Sequence, residues 1–511
     1  MAYSCRMACT SAHHLLLLAF LLFILQHSHM PCEARPTYLN NIIGTNDATN
    51  PTSSEVLLQE AKTVTNLRAF FQSIVDLLHF QNATQTAGHK NQLDFEKESE
   101  LEAPEKIIDT SGAGFIYNAE NQVEQEDANT DEAAAEEPHL LMPFQKPAST
   151  PGNCKTGNYI DDCWRCDANW QDRRQALASC AIGFGQYAYG GKDGKIYVVT
   201  SNNDDIRSPS PGTLRYGVTR SEPLWITFAK DMTIELKGEL IVSSYKTIDG
   251  RGAEIHIVGT SQITIEGVSN VIVHGIHVHD ILTSGPHHIL TAPNLRTFRG
   301  SSDGDAIHIK GSSNVWVDHC FLAKATDGLV DGTKNSTNIT VSNSYFENHN
   351  KVMLFGASPK DDYDRNMQIT VAFNRFGPGL TQRLPRCRYG SCHVANNFYT
   401  SGWGLYAIGG SEDPTFLSQC NRFVAPDATN RKEVTSRIDD DGPTFGGWQK
   451  WDWVSTGDSF ANGAFFTGSG VQNASASNYD RARSFVPRHA SWVAAMTEDA
   501  GPLNCVPKSS C

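Results

Sequence analysis

Short runs of β-branched and aromatic residues dominate the chain from residue 196 onward, and Gly, Asn, Asp and Ser separate these runs. The clearest examples are 196–199, 224–228, 263–265 and 271–273. Runs of this length and composition, bounded by turn-forming residues, are typical of β-strands. The pattern therefore predicts an all-β architecture for this part of the chain.

A weak repeat runs through the same region. Five segments share one template, the last two only its second half: 313–319, 337–343, 367–374, 397–399 and 421–423. The residues that end the template recur at steps of 24, 31, 23 and 24 residues: His319, Asn343, Asn374, Asn397 and Asn421. Short strands that repeat at this period indicate a solenoid, since propeller blades need about 40–45 residues each.

We predict a parallel β-helix in which the recurrent Asn residues stack into a hydrogen-bonded ladder from coil to coil. Insertions such as 377–388 are expected to project from one face, where repeat proteins usually bind their ligands. The helix-like segment 169–181 is expected to cap the N-terminal end of the solenoid. From about residue 425 the repeat is lost, and the chain is expected to pack back along the coils as loops. The predicted catalytic domain is 153–511.

The region before this domain has a different character. Apolar residues recur every three or four positions over 53–80, which predicts a helix, and the Glu- and Asp-rich stretch 91–137 reads as a solvated linker. Residues 35–152 hold 19 acidic and 7 basic side chains, a net of −12, and residues 1–34 net zero, so only −2 of the total −14 remains for 153–511. This acidic N-terminal extension is a propeptide or spacer, or alternatively a regulatory or targeting domain.

Residues 1–34 have the features of a secretory signal peptide: Arg6, eleven apolar residues at 15–25, and a plausible cleavage site at 32–34. The apolar core is too short to cross a bilayer, and no later stretch is long enough. We therefore predict secretion to the extracellular space or cell wall, without a membrane anchor. Four asparagines lie in glycosylation acceptors: Asn82, Asn335, Asn338 and Asn473. The ten cysteines from Cys154 to Cys511 are expected to form disulfides in an oxidising compartment.

Two acidic clusters are the first candidate site. Asp303 and Asp305 are two residues apart, and Asp327 and Asp331 follow one coil later. Carboxylates without a soft ligand nearby suit a hard cation, and calcium tolerates such irregular geometry. The alternative is that both Asp-Gly pairs are ordinary turns between strands.

Basic residues form the second candidate site. Arg383 and Arg388 flank a short segment that contains Pro385, and Lys351 lies about one coil earlier. Arginine forks bind carboxylates through two hydrogen bonds, and arginine is rarely buried without a partner. The alternative is a basic surface loop pinned by Pro385 and closed by a Cys387–Cys392 disulfide.

Two histidine motifs are predicted to be structural. Asp318 and His319 would point to opposite faces of a strand and so could not form a catalytic pair. His277 and His279 would share one face, but no third metal ligand is evident, so a surface histidine stack is the favoured interpretation.

Trp316-Val317-Asp318-His319, the two acidic clusters, Lys351 and the Arg383–Arg388 segment resemble, in order and spacing, the active-site face of plant-type pectate lyases over roughly 153–430. The resemblance implies a right-handed parallel β-helix. It implies that Ca²⁺ is held by the four aspartates, that Arg383 removes the C5 proton, and that Lys351 and Arg388 bind the uronate carboxylate. It also implies a Cys163–Cys180 disulfide.

The resemblance thus predicts a calcium-dependent lyase that cleaves de-esterified homogalacturonan by β-elimination, leaving a 4,5-unsaturated end. A guanidinium rarely releases its proton, so calcium must acidify the C5 proton and activity should favour alkaline pH. The expected partner is this polysaccharide, with no nucleic acid or membrane partner, and the enzyme is expected to be a monomer. The alternatives are a pectin lyase or polygalacturonase on the same scaffold, or a non-catalytic pectin-binding wall protein. Gly356-Ala357-Ser358-Pro359 replaces the family's Gly-His-Ser-Asp. This difference bears on which sugar subsites the enzyme prefers and not on the type of reaction.

Overall fold

The computed structural model describes residues 155–438, 447–471 and 479–511. The predicted signal peptide, the helix at 53–80, the acidic linker, Asn82 and Asn473 lie outside these residues and stay predictions. So does the domain boundary near residue 153.

Three parallel sheets run side by side along the described chain, with strands labelled β1 to β30 in chain order. Sheet I has ten strands: β1 Lys195–Val199, β2 Leu224–Phe228, β5 Lys246–Asp249, β8 Ser269–His274, β13 Ser313–Asp318, β16 Thr337–Ser342, β19 Gln368–Ala372, β23 Ser391–Ala395, β26 Thr415–Gln419 and β29 Trp453–Thr456.

Sheet II has nine strands: β4 Leu240–Ile241, β7 Ile263–Glu266, β12 Ile307–Lys310, β15 Gly328–Thr333, β18 His349–Phe355, β21 Leu380–Gln382, β22 Arg386–Arg388, β25 Ile408–Ser411 and β28 Thr435–Arg437. Sheet III also has nine: β3 Met232–Leu236, β6 Ile255–Thr260, β9 His277–Leu282, β14 Phe321–Ala325, β17 Tyr345–Glu347, β20 Arg375–Phe376, β24 Phe398–Tyr399, β27 Arg422–Val424 and β30 Ser459–Ala461. An antiparallel hairpin comprises β10 His287–Ala292 and β11 Leu295–Arg299.

Helices are few and short. The α-helices are α1 Tyr159–Trp164, α2 Leu214–Val218 and α3 Val493–Met496. The 3₁₀ helices are Arg174–Ser179, Gly183–Gly185, Asp362–Asn366, Trp448–Lys450, Ala482–Ser484 and Ala490–Trp492. Helix α1 begins where Asn158 caps it by accepting hydrogen bonds from the backbone N–H groups of Ile160 and Asp161. None of the helices in the described ranges is long and apolar enough to cross a membrane.

Each coil contributes one strand to each sheet, so equivalent residues of successive coils lie directly above one another. Val271, Val315, Ile339 and Ile369, for example, are consecutive partners in sheet I and are fully buried. Such aliphatic stacks fill the interior between the three sheets. The predicted right-handed parallel β-helix is confirmed as the fold.

The predicted asparagine ladder is present from Asn374 onward. In the earlier coils the equivalent position is one residue after the predicted one. The side-chain oxygens of Asn374, Asn397 and Asn421 each accept the backbone N–H of the preceding coil at 2.8–2.9 Å. The equivalent position in the coil before Asn374 is Ser344, whereas Asn343 has a φ of +48° and forms the turn. The prediction aligned Asn343 with Asn374 because both are asparagines; the hydrogen bonds align the coils differently.

The outward side of sheet I, called here the covered face, is buried by the first and the last segments that the structure describes. Five of its outward residues form one apolar cluster with the terminal segments: Trp225, Ile272, Trp316, Ala372 and Ala395. Trp170 and Leu177 cover it from the N-terminal side, and Phe485 and Val493 from the C-terminal side. The segment 169–181 therefore lies along the side of the coils and not at their end, and its regular part is only the 3₁₀ helix Arg174–Ser179. Packing of the C-terminal segment along the coils is confirmed.

Two further expectations are corrected. The coils continue beyond residue 425, because β28, β29 and β30 extend all three sheets as far as Ala461. The segment 377–388 does not simply project, since β21 and β22 within it both pair with β18 of sheet II. Backbone hydrogen bonds to the preceding coil therefore hold this segment against the solenoid.

The structure has disulfides Cys163–Cys180 and Cys387–Cys392, the two pairs named above, and also Cys505–Cys511. Cys320 and Cys420 are free thiols, contrary to the expectation that all ten cysteines pair. Cys320 is fully buried in the solenoid interior, where burial raises its pKa to about 12. It behaves as a small apolar core residue.

Candidate active site

The predicted acidic residues meet on the outward side of sheet II, which is called here the acidic cleft. Asp305 lies just before β12, Asp331 lies within β15, and these strands are neighbours in the sheet with His308 opposite Asp331. Because side chains alternate along a strand, Val330 enters the core and Asp331 points outward. Stacking of two coils thus brings together carboxylates that are 26 residues apart in sequence.

Asp305 is almost fully buried, and hydrogen bonds fix both of its carboxylate oxygens. Oδ2 accepts from His308 Nδ1 at 2.6 Å, and Oδ1 accepts from the Gly328 backbone N–H at 2.7 Å. The side-chain oxygen of Gln262, one coil earlier, accepts the backbone N–H groups of Gly304 and Asp305. The turn that carries Asp303 and Asp305 is therefore rigidly held.

Asp331 is buried among like charges. Its Oδ1 accepts the Leu354 backbone N–H at 3.1 Å. Burial, together with the negative charges of Asp305 and Asp327, raises its pKa well above the usual range, while Arg383 opposes this shift. Gly328 is required here, because a Cβ at that position would come within 2.2 Å of Asp331 Oδ1.

Asp303 is the most exposed of the four aspartates. Partial desolvation and the nearby Asp305 charge raise the pKa of its carboxyl. One ligand atom each from Asp303, Asp305 and His308 can be chosen so that all three lie within 4.8 Å of one another. The first acidic motif is thus compact enough to contact a single ion.

Asp327 faces a cation instead of another acid. Its Oδ1 accepts a hydrogen bond from Lys351 Nζ at 2.8 Å, and its backbone oxygen accepts one from His349 Nε2 at 2.6 Å. Lys351 lies opposite Gly328 in the pairing of β18 with β15, which brings its side chain to the second acidic motif. More than a third of each of the Lys351 and Asp327 side chains is exposed, so both can also contact a ligand in the cleft.

Arg383 lies between β21 and β22 with a φ of +64°, immediately before a cis Leu384–Pro385 bond. Its backbone oxygen accepts the Met353 N–H at 2.7 Å, and the Leu384 N–H donates to Ala407 O at 2.8 Å. The guanidinium is near enough to Asp331 to lower the pKa of that carboxyl, and its buried Nε has no hydrogen-bond partner among the described residues. A donor of this kind is suited to a ligand.

Arg388 lies further along the strand than Arg383. The pairing of β18 with β22 aligns Arg386 with Leu354, which is itself opposite Asp331. Arg388 is two residues beyond this row, a displacement of roughly 7 Å along a strand. Its buried guanidinium has a Glu412 oxygen at 3.9 Å, and its positive charge acts on Asp361 and Asp364. Arg386 donates to Ser411 Oγ at 2.6 Å.

The structure thus brings together Asp303, Asp305, Asp327, Asp331, Lys351 and Arg383, and places Arg388 towards the far edge of the group. Asp331 is buried close to Asp305 and Asp327, and its pKa is raised by burial and by repulsion from these two carboxylates, which Arg383 offsets only in part. A bound cation would remove this repulsion, and an all-oxygen donor set is the one that a hard ion such as Ca²⁺ prefers. The residues present therefore fit the ion that the resemblance implies.

Sequence reasoning missed three residues that shape the cleft. His308 and Gln262 hold Asp305 and its turn, and Tyr406 lies beside Arg383 and Arg386, whose charges partly offset the rise in its pKa caused by burial. The role of His308 could have been predicted from sequence, because His308 lies three residues after Asp305 on the strand that follows the acidic motif. Tyr406 has no local signal, because only the stacking of coils brings it to Arg383.

Trp316-Val317-Asp318-His319 is buried beneath the covered face. Asp318 Oδ2 accepts from His274 Nδ1 at 2.8 Å, while His319 Nε2 donates to Asp161 Oδ1 at 2.8 Å. Asp318 and His319 do not point to opposite faces of a strand as predicted, because β13 ends at Asp318 and His319 has a φ of +49°. Both side chains lie in one cluster, in which His319 lowers the pKa of Asp318 against the effect of burial. Each has its own partner, and both bind helix α1 or a neighbouring coil.

His277 does form a histidine stack, but with His256 of the preceding coil and not with His279; the ring centroids are 4.3 Å apart and the planes 13° from parallel. Of the glycosylation acceptors, Asn335 is exposed on a turn, and Asn338 is half-buried with its side-chain oxygen 3.4 Å from Arg481 Nη1. Their modification stays a prediction.

The fold and the cleft define a parallel β-helix protein with a carboxylate cluster on one sheet, bordered by Lys351 and Arg383. Comparison with known proteins gives this class a name. The family described as "Pectate lyase" matches residues 191–494. "Probable pectate lyase 5" of Arabidopsis thaliana is 54% identical over 360 residues, which are 70% of this chain and 87% of that protein.

"Pectate lyase" of Zinnia elegans is 51% identical over 360 residues, covering 70% of this chain and 88% of that protein. Among solved structures, jun a 1, the major allergen from cedar pollen, aligns with a TM-score of 0.65 and 45% identity over 68% of this chain and 99% of that chain. The chain belongs to the pectate lyase family.

Proposed function

We propose that the protein cleaves de-esterified homogalacturonan by β-elimination, with one or more Ca²⁺ ions held between the substrate and Asp303, Asp305, Asp327 and Asp331. The observation that carries the proposal is the position of Asp331, which is buried close to Asp305 and Asp327. Burial, and then repulsion from these two carboxylates, raises its pKa, while Arg383 opposes the shift. Family membership supports the reaction class. When bound, Ca²⁺ supplies a Lewis acid that withdraws electrons from the uronate carboxylate and acidifies the C5 proton.

The residues of the chain have separate roles in this proposal. Lys351, already placed at 2.8 Å from Asp327, exchanges that carboxylate for a uronate carboxylate and orients the sugar. In its neutral form, the Arg383 side chain accepts the C5 proton. The electron pair of the broken C5–H bond forms the C4–C5 double bond, and the C4 glycosidic oxygen leaves and takes up a proton from water. The peptide group between Arg383 and Leu384 is hydrogen-bonded to the coils on both sides, which fixes the backbone from which the guanidinium extends.

A guanidinium must lose a proton before the side chain can accept the C5 proton, so this step is favoured at alkaline pH. Arg388 is proposed to bind a substrate carboxylate at the far edge of the cleft, two residues along the strand from the row of Asp331. Secretion, extracellular action on the plant cell wall and the monomeric state belong to the same proposal.

The test is the ultraviolet absorbance of unsaturated product released from polygalacturonate, measured at alkaline pH with calcium and then with chelator. We expect product only with calcium. Arg383→Ala should lower kcat about 10³-fold, a typical effect of removing a general base or a group that stabilises transition-state charge. Arg431→Ala, which removes an exposed arginine outside the cleft, is the matched control and should retain activity.

Equal turnover in chelator, or in Arg383→Ala, would reject the mechanism. Reducing-end release without ultraviolet absorbance would indicate a hydrolase, which needs a pair of carboxylates as acid and base or nucleophile. Preference for methyl-esterified pectin without calcium would indicate a pectin lyase. Substrate binding without any product would indicate a pectin-binding wall protein.

A further inference from the structure

A second group of metal-binding side chains lies on sheet III, away from the sheet that carries the acidic cleft. Two successive coils supply it. Glu254 and His256 are at the start of β6, and His277, His279 and Asp280 are in β9, where His277 is the direct partner of His256. One ligand atom each from Glu254, His256 and His277 can be chosen so that all three lie within 4.8 Å of one another.

Hydrogen-bond geometry fixes how the imidazoles face each other when they are neutral. Asp280 Oδ2 is 2.6 Å from His279 Nδ1, and because a carboxylate only accepts, this nitrogen carries the hydrogen. His279 Nε2 then has a lone pair, and His256 Nδ1, 2.9 Å away, must donate to it. The remaining nitrogen of His256, Nε2, therefore also has a lone pair.

This lone pair faces another acceptor. His256 Nε2 lies 3.2 Å from Glu254 Oε1, so two electron-rich atoms are in contact with no hydrogen between them. One added cation removes the conflict. It can be a proton on the His256–His279 pair, or a metal ion bound by Glu254 and His256 together.

His277 provides the third donor. Its Nδ1 is 3.2 Å from the carbonyl oxygen of Ile255, which only accepts, so Nδ1 carries the hydrogen and Nε2 has the lone pair. Its ring is stacked on that of His256, and Phe321 of the next coil packs against it with ring centroids 5.6 Å apart. In-plane lone pairs of nearly parallel rings do not converge, so one ring must tilt for both to bind a single ion. His277 and His256 are both only partly buried, so the edges of their rings are free to make this adjustment.

We infer that Glu254, His256 and His277 form a binding site for a first-row transition-metal ion such as Zn²⁺. Two imidazoles with one carboxylate are a donor set that zinc and its neighbours prefer, whereas calcium prefers oxygen ligands alone. Asp280 and His279 act as positioning residues, because they orient His256 through a chain of hydrogen bonds. The exposed side of the site leaves a position for solvent.

The site would join two coils at the early end of the solenoid. Its ligands come from residues 254–256 and 277, so an ion held by them links β6 to β9 in addition to the backbone hydrogen bonds. An ion that binds only the folded chain raises stability in proportion to the logarithm of its concentration above the dissociation constant. The expected role is therefore a structural clamp, independent of calcium in the cleft.

The test is Zn²⁺ binding to the full-length, tag-free protein by equilibrium dialysis at pH 7.5, with millimolar Ca²⁺ present to occupy oxygen-only sites. We expect one Zn²⁺ with a micromolar or lower dissociation constant and a rise in Tm on binding. His277→Ala and Glu254→Gln should each weaken binding by at least about tenfold, and Asp280→Asn by about tenfold, the size of effect seen when orienting partners are removed. Glu254 is exposed, so Glu254→Gln should fold normally.

His288→Ala is the matched control, because His288 is an exposed histidine on the β10–β11 hairpin with its ring near Phe298. It should bind Zn²⁺ like the wild type. Co²⁺ gives a second readout, since coordination by His256 and His277 should produce visible absorption bands that His277→Ala lacks. Binding of Zn²⁺ by the wild type only at millimolar concentration, or equally by His277→Ala and the wild type, would overturn the inference and leave a proton as the cation of this cluster.

Discussion

The covered face of sheet I and the acidic cleft of sheet II both bury carboxylates, but with opposite surroundings. Beneath the covered face, Asp249 accepts hydrogen bonds from Arg251, Arg174 and Trp225 Nε1 at 2.8–3.0 Å. Although burial acts in the other direction, the Arg251 and Arg174 charges hold the pKa of Asp249 well below its usual range. In the cleft, burial and neighbouring acids raise the pKa of Asp331.

The difference separates paired from incompletely paired buried charges within one solenoid. A buried ion pair needs its partners in place to offset the cost of removing charges from water, and Asp249 has them. The carboxylates of the cleft are incompletely paired, which is unfavourable for folding unless a cation binds. Groups perturbed in this way by burial and like charges mark functional sites more often than structural ones.

The largest predicted effect is on the covered face. Asp249→Asn leaves two arginines without their buried anion and should lower the free energy of unfolding by about 3–5 kcal/mol. Denaturant unfolding in chelator measures it. Asp303→Asn, which changes an exposed acid of the cleft, is the control and should change the free energy by less than about 0.5 kcal/mol. Similar small changes in both variants would contradict the comparison.

His393 tests the covered face by pH. Its buried ring packs against Phe485, and burial lowers its pKa to about 4 despite the Gln419 hydrogen bond. Between pH 4 and about 6.5 the unfolded chain binds more protons than the folded one, so stability is complete above this window and is lost as pH falls through it. The loss should reach up to about 3 kcal/mol. His393→Gln should flatten the dependence between pH 7.5 and 4.5, whereas His288→Gln on the surface should keep it.

Lys351 tests the cleft. Its ion pair with Asp327 is well exposed, so Lys351→Ala should change stability by less than about 1 kcal/mol. If Lys351 binds the uronate, kcat/KM on polygalacturonate should nevertheless fall about 100-fold, equal to about 2.7 kcal/mol. Lys334 forms a comparable pair with Asp361 at 2.8 Å, and Lys334→Ala should leave kcat/KM unchanged. Equal losses in both variants would remove Lys351 from the proposed site.

The smallest effect has the opposite sign to that of Asp249→Asn. In chelator at pH 8, Asp331→Asn removes a carboxylate that burial and the neighbouring acids disfavour. It should raise the free energy of unfolding by about 1 kcal/mol, the usual size of a single-substitution effect. The Asn side-chain oxygen can still accept the Leu354 N–H. Added calcium should stabilise the wild type and not this variant, as measured by Tm. A destabilised Asp331→Asn protein would mean that the cleft carboxylates are structural.

Prediction from sequence succeeded where local pattern is sufficient. Residues 224–228 alternate little and are strongly β-forming, and the predicted strand has the same bounds as β2. Asp303 and Asp305 precede β12, and Asp327 precedes β15, so the two acidic motifs lie before neighbouring strands of sheet II in successive coils. Prediction failed where contacts come from residues distant in sequence, as for segment 169–181 on the covered face and for Glu254 beside His277.

The sequence by itself determined the solenoid, through its spacing of short strands, and the kinds of residue available for chemistry: acids, arginines and a lysine in the order of a pectate lyase. The tertiary structure decided which charges meet. Asp249 ends β5 and Asp331 lies within β15, and their local sequences are similar. Arginines nevertheless surround Asp249, whereas acids lie close to Asp331. The physical reason is that paired residues of successive coils are 21 to 44 residues apart in sequence. The neighbour that sets a pKa therefore comes from another coil, and the alternation of side chains along one strand does not specify it.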